Sequence, residues 1–380
     1  MISNIPLTIK ITHMTNKKTF YFYLLTAFLI AFSCSDSINS DDNIVDNFDR
    51  QSILENVTDN IILPAFEDFN PKIAQLKESV TQFSNAKSIA NLETVQSNWV
   101  EAYKSWQHLE MFNIAKAEEV YFIKKMNTYP ASVSRIENNI NTGSYDLDTN
   151  NNNWAAQGFP ALDYLLFGLG DTNLDTLVFY QNNENSAYLN YLQSLVSQML
   201  QVTDLVHQDW VLTRDIFVSS SENSATSSLN MLTNDFIYYF EKGLRTNKFG
   251  IPAGVFSGNN TRAANVEAYY NSSMSKVLSL EAIDAVQKFF KGQGYNSSTT
   301  GESLSSYLDY MMENNSLSSE ILTKFIDSQQ LINNLDDNFA SQISSNNTLM
   351  VDVFNKLQEG VVLLKTDMLS ILSISVDYID

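Results

Sequence analysis

The 380-residue chain has a single cysteine, three histidines, 6 prolines and 12 glycines. Each scarcity removes a class of protein. One cysteine, Cys34, forbids a disulfide within the chain, so no disulfide framework supports the fold. With so few histidines and no HExxH, the chain is short of the ligands of a zinc hydrolase, which uses about three plus a general base. No glycine-rich phosphate loop follows a strand pattern, no calcium loop of EF-hand spacing is present, and no serine is placed with a base and an orienting acid. Sparse Gly and Pro argue against a β-rich chain with frequent tight turns and favour long helices. Positive charge is also scarce: 23 Lys and Arg face 43 Asp and Glu, a formal net charge of −20. Such a body repels nucleic acid and anionic headgroups but suits cationic partners, metal ions included.

The one long apolar run lies near the start. Lys10, Lys17 and Lys18 precede Phe20 to Phe32 (FYFYLLTAFLIAF), and no acid occurs before Asp36. A basic region, a short apolar segment and a small residue at the cut define a secretion signal. The run is short of the about 20 residues a transmembrane helix needs. Ala31-Phe32-Ser33-Cys34 resembles the bacterial lipobox, with Phe32 where a small residue is usual. Residues 1–33 are therefore expected to be a lipoprotein signal peptide, translated from Met1 or Met14, and Cys34 the acylated residue. Acyl chains such as palmitate, at about 0.8 kcal/mol per buried methylene, would hold the body on a membrane. Loss of the three leader lysines moves the net charge from −20 to −23. Residues 34–50 are polar and acidic without apolar periodicity and are expected to form a flexible tether. The expected location is the bacterial cell envelope, at the outer membrane on its periplasmic or surface face.

The body has helical periodicity. Ile53, Val57, Ile61, Ala65, Phe69, Ile73, Leu76, Val80 and Phe83 recur every three or four residues, with Pro64 and Pro71 bending or restarting the helix. Leu92, Val95, Trp99, Ala102, Trp106 and Leu109 follow the same rule behind Asn91 as N-cap. From Tyr129 to Asp175, Pro and Gly break the pattern into a long connection holding short helices. Leu189 to Leu205 restores a long helix, and the polar stretch Ser219 to Ser228 marks a boundary. Beyond it come a helix through Leu229 to Phe240, a Gly/Pro loop, a helix carrying Val266, Tyr270 and Val277 to Phe290, and further helices to Met368. The expected fold is all-α, with an N-terminal helical bundle over 51–220 packed against a C-terminal bundle over 221–380.

The irregular loops carry a resemblance. Gly158-Phe159-Pro160-Ala161-Leu162-Asp163 followed by Tyr164-Leu165-Leu166-Phe167-Gly168 resembles the central motif of the imelysin-like family, usually Gly-x-His-x-x-Glu before an LLFG-like run. Ile62 to Phe66, Trp99 to Glu110, Asn127 to Glu137, Lys248 to Gly254 and Val266 to Ser273 agree with other family segments in type and order. The likeness spans residues 51 to 380 and implies two packed helical bundles. It also implies envelope lipoproteins associated with iron uptake, named for a metallopeptidase activity. Here Pro160 stands in the histidine slot and Asp163 in the glutamate slot, and a proline side chain ligates nothing.

The expected pocket comprises Gly158, Pro160, Asp163, Glu110, Lys248, Glu267 and Ser273. Asp163 and Glu110 are the metal-ligand candidates, for iron or another divalent metal. Each has a plainer reading. Asp163 would cap its helix start, Glu110 would be an exposed helical acid, and Glu267 would pair with Arg262 or face water. His108 would be a surface or hydrogen-bonded histidine and His207 a solvated one, while Trp99 and Trp106 belong to the core. No catalytic residue is assigned. The leading reading is a non-catalytic lipoprotein that binds a small ligand or partner in iron acquisition. A divergent metallopeptidase and a docking protein for an outer-membrane iron transporter stand as alternatives.

Overall fold

The computed structural model describes residues 46–376. The secretion signal, Cys34 and the tether up to residue 45 lie outside the described residues. The body is all-α; among the described residues the only β pairing is an isolated antiparallel bridge between Gln293 and Thr300. None of their helices is long and apolar enough to cross a membrane.

Helix α1 (Arg50–Val57) opens on Asp49, whose carboxylate accepts the Ser52 N–H at 3.3 Å. A π-helical turn, Thr58–Ile62, leads into α2 (Leu63–Asn85). Pro64 follows the π-helical turn in an unbroken helical run, and the nearby Asn60 carbonyl accepts the Tyr295 N–H at 2.7 Å. Pro71 lies inside α2, which continues through it instead of restarting. Helix α3 (Ile89–Trp106) begins on Ser88, whose hydroxyl accepts the Asn91 N–H at 3.3 Å. The cap is thus Ser88, and Asn91 is the residue it serves.

Short helices α4 (Lys116–Glu119) and α5 (Phe122–Met126) already precede the expected break at Tyr129, and α6 (Val133–Thr142), α7 (Gly158–Phe167) and the start of α8 (Asn173–Gln181) fall within it. The long α9 (Ser186–Ser219) ends where the polar stretch begins, and α10 (Ser228–Tyr238) starts where it stops. A π-helical segment, Tyr239–Gly250, extends α10. After an irregular loop come α11 (Met274–Lys291), α12 (Leu304–Met312), α13 (Ser316–Asn333) and α14 (Phe339–Val362).

The expected helix through Val266 and Tyr270 does not form; α11 starts only at Met274. Ala268 adopts φ 54°, which no helix interior accommodates, and the loop is held by side chains from elsewhere in the body. Helix α2 packs on both α3 and α9; α13 packs on α11 and α14, and the Tyr239–Gly250 segment on α14 and α11. The two sets meet where α3 packs on α11 and α1 on α10, and the chain from Asn47 onward is one unit.

Aromatic residues dominate the core beside α3. Trp99, Tyr103 and Trp106 are fully buried, as their shared face predicts. Tyr103 stacks on Phe159 at 4.3 Å with the rings 3° from parallel, and Trp106 meets Phe122 edge-on at 5.1 Å. Burying roughly 200 Å² per ring contributes on the order of 5 kcal/mol before chain entropy is counted. The Trp99 indole donates to the Phe159 carbonyl at 3.2 Å, fixing α3 to the first turn of α7.

That turn depends on Gly158. Its φ is +70°, and a Cβ there would overlap the Met126 carbonyl oxygen and lie 2.5 Å from that of Lys125. Gly143 has a similar φ of +61° but open space around it. Gly143→Ala should therefore cost about 1 kcal/mol, from backbone strain alone. Gly158→Ala should cost about 3 kcal/mol or more, because α7 must also shift. Urea denaturation of both variants measures the difference; equal losses would show that close packing at Gly158 is unimportant.

Candidate functional site

Beyond Trp106 the chain continues in tight turns through Glu110. Tyr103, Gln107 and Glu110 follow one another at helical spacings of four and three, so they turn to the same inward side. Asn127, at the end of α5, faces them. The Tyr239–Gly250 segment brings in Lys248, and the irregular loop before α11 brings in Glu267.

These side chains form one buried polar cluster. Lys248 and Glu267, 1% and 2% exposed, make a direct ion pair. Lys248 Nζ also donates to Gln107 Oε1 at 2.8 Å and lies 3.9 Å from Glu110 Oε2. Gln107 Nε2 returns a hydrogen bond to Glu267 Oε1 at 3.1 Å. The Asn127 amide donates to Glu110 Oε1 at 2.6 Å and to Glu267 Oε1 at 2.8 Å, while its oxygen accepts the Tyr103 hydroxyl at 2.6 Å. Buried charges persist only when paired and hydrogen-bonded, and here each partner answers another.

Burial drives the Glu110 carboxyl above its usual range; Lys248 opposes this and Glu267 reinforces it. Burial, with the nearby carboxylates, also raises the hydroxyls of Tyr103, Tyr129 and Tyr239 well above the ordinary tyrosine value. These tyrosines therefore keep their protons, and the Tyr103 hydroxyl donates to Asn127.

The structure thus brings Glu110, Lys248 and Glu267 together. Glu110 is buried, not an exposed helical acid, and Glu267 pairs with Lys248, not with Arg262. Asp163 has a separate role. It sits in the middle of α7, beyond the first turn, so it does not cap that helix. Its two oxygens accept the backbone N–H groups of Tyr270 and Asn271, each at 2.8 Å. With both oxygens engaged, Asp163 fixes the loop that delivers Glu267. Pro160 lies in the first turn of α7, where lack of an N–H is harmless. Ser273 is exposed and donates to Asn271 Oδ1 at 3.2 Å, outside the cluster.

Among the described residues no three His, Cys, Asp or Glu side chains are grouped to hold a metal ion. The metal-ligand expectation for Asp163 and Glu110 finds no such geometry, since one is held by backbone amides and the other by Asn127. His108 Nε2 is 3.1 Å from Glu281 Oε2. His207 is not fully solvated: it stacks on Phe66 at 5.4 Å and lies 3.3 Å from the Asn70 amide. Sequence reasoning missed Gln107, Asn127 and Tyr239. Neutral amides carry no chemical flag, and only the register of Gln107 between Tyr103 and Glu110 could have pointed to it.

Two clefts adjoin the cluster. One, of about 240 Å³, is lined by Pro160, Asp163, Tyr129 and Tyr270. The other, of about 610 Å³, has Glu110, Asn127, Tyr129 and Tyr239 in its lining. Tyr129 borders both.

Residues 62–361 match the family model for imelysin, and the chain belongs to the imelysin family. Two solved structures share the fold. A Parabacteroides distasonis protein described as an iron-regulated protein A precursor is 17% identical with a TM-score of 0.68, covering 83% of this chain and 94% of its own. An imelysin-like protein from Psychrobacter arcticum is 16% identical, also with a TM-score of 0.68, covering 87% of this chain and 97% of its own. No curated protein matches the chain significantly.

Burial raises the Asp163 carboxyl to about 7, against the two amides that hold it down. A carboxyl whose folded value exceeds its unfolded one binds more protons when folded between the two values. Its contribution to stability therefore falls as pH rises from about 4 to about 7, by up to about 1.4 kcal/mol per pH unit. Asp163→Asn should flatten that part of the stability–pH curve, leaving the share due to Glu110. Chemical denaturation at several pH values checks this; an unchanged slope would mean that Asp163 stays ionised throughout.

Proposed function

We propose that this chain is a non-catalytic imelysin-family lipoprotein of the bacterial cell envelope. It would be anchored through Cys34 and bind a small ligand or partner protein in iron uptake. The observation that carries the reading is the saturation of its acid–base groups. Glu267 accepts from Lys248, Gln107 and Asn127 together, and Asp163 from two backbone amides. A hydrolytic base must hold a water within hydrogen-bond reach, and these carboxylates are occupied by the protein itself. Pro160 in the histidine slot of the family motif supports the same view.

The larger cleft falls within the size range of small-molecule sites and mixes apolar, aromatic and polar groups, as such sites do. The lipobox-like segment supports anchorage. The iron-regulated description of the Parabacteroides relative supports the link to iron; iron or another divalent metal as cargo and an outer-membrane iron transporter as partner are part of the proposal. One observation favours a divergent peptidase as the second reading: Glu110, with its raised carboxyl, borders the larger cleft.

Titration calorimetry with iron and zinc salts, run beside a peptide-cleavage assay, tests the choice. The expected result is no peptide turnover with either metal, and membrane association lost in Cys34→Ala. Metal-dependent cleavage abolished by Glu110→Gln would overturn the binding reading in favour of the peptidase.

A further inference from the structure

Helix α9 carries two apolar faces, and the core uses only one. Val206, Trp210 and Phe217 are buried against the body, and Trp210 meets Phe217 edge-on at 5.0 Å. A surface helix of this kind is expected to be polar on its other side. Here Leu205, Leu212 and Ile216 are 46%, 81% and 72% exposed. Single exposed apolar side chains are ordinary, but these three are aligned. At about 100° per residue they fall within about 20° of one line, which runs for about 16 Å along the helix. Spacings of seven and four are those by which one helix packs beside another.

The borders of this line are acidic. By the same helical geometry Asp209 stands on one side of it, and Asp204 and Asp215 on the other. Glu67, exposed on the neighbouring α2, lies close enough to His207 to act on its ring, as Asp204 does. Two cations are nearby, and both are already paired. Arg214 bonds Asp59 and Asp215, each at 2.9 Å, while Lys116, beside Asp209, bonds Glu119. The Asp215 side chain nevertheless remains 92% exposed.

That sign decides among possible occupants. A second copy of the chain would bring the same acids to the face, on a body of net charge −20. The tether would bring Asp36, Asp41 and Asp42 and no base. A helix that lies on a membrane carries Lys and Arg along its apolar face, and the two bases here are committed to acids.

From the aligned apolar side chains and their acidic borders, we infer that the outer face of α9, from Leu205 to Ile216, docks an amphipathic helix of a partner protein. The apolar stripe of that helix is bordered by Lys or Arg. Its apolar side chains cover Leu205, Leu212 and Ile216, and its bases meet Asp209 and Asp215. The face shares no lining residue with either cleft. Neither the lipid anchor nor a ligand in the clefts is needed for it.

The test is fluorescence anisotropy on the purified protein with two labelled synthetic helices. Each has one leucine stripe, bordered by lysine in the first and by glutamate in the second. The lysine-bordered helix should bind saturably, and the glutamate-bordered one at least tenfold more weakly. Leu212→Ser combined with Ile216→Ser should weaken the first tenfold or more. Asp209→Lys combined with Asp215→Lys should reverse the preference between the two helices, a result that loss of folding cannot produce. Thermal melting should show both double variants folded. Failure of the lysine-bordered helix to bind, equal binding of the two helices, or a preference untouched by the charge reversal would overturn the inference. Self-association of the parent protein that is lost in the serine variant would assign the face to a second copy instead. Binding to phosphatidylcholine vesicles lost in that variant, without binding of either helix, would assign it to a membrane.

Discussion

The ion pair between Lys248 and Glu267 is the constraint on which the rest of the body depends. Both side chains are out of water, so each must find its full set of partners inside the protein. Those partners come from separate places along the sequence: Gln107 and Glu110 just past α3, Asn127 after α5, and Lys248 at the end of the segment that extends α10. The pair therefore fixes how the early helices meet the later ones. It also fixes a loop, because Glu267 reaches Lys248 only if residues 266–273 stay irregular. Asp163 enforces this by holding the backbone of Tyr270 and Asn271.

This arrangement gives the central family motif a mechanical meaning in this chain. Gly158 lets α7 start against the carbonyls of α5, Pro160 sits harmlessly in the first turn, and Asp163 reaches across to the loop. Asp163 thus serves as a backbone anchor, and Pro160 offers no ligating side chain. Tyr129, on the α5–α6 connection, borders the clefts on both sides of this arrangement.

The helices were legible in the sequence because apolar spacing of three and four leaves few other solutions. The breaks at 129–175 and 219–228 were legible through Gly, Pro and serine-rich composition. The Val266–Tyr270 segment was misread as helix because its apolar spacing fits one. What overrides it, backbone hydrogen bonds donated to Asp163 more than a hundred residues away and a positive φ at Ala268, has no local signature. The association of Glu110, Lys248 and Glu267 was foreseen only through the family resemblance. The residues that make it work, Gln107 and Asn127, carry neutral amides whose importance appears only once they are buried between charges.

A double-mutant cycle on Lys248 and Glu267 tests most directly whether this cluster is the strut of the body. Lys248→Met and Glu267→Gln should each destabilise the fold by about 3–5 kcal/mol, because each leaves a charge buried without its partner. The double variant should lose at least about 2 kcal/mol less than the two losses combined. Strictly additive losses, or a Lys248→Met protein as stable as the original, would contradict the account.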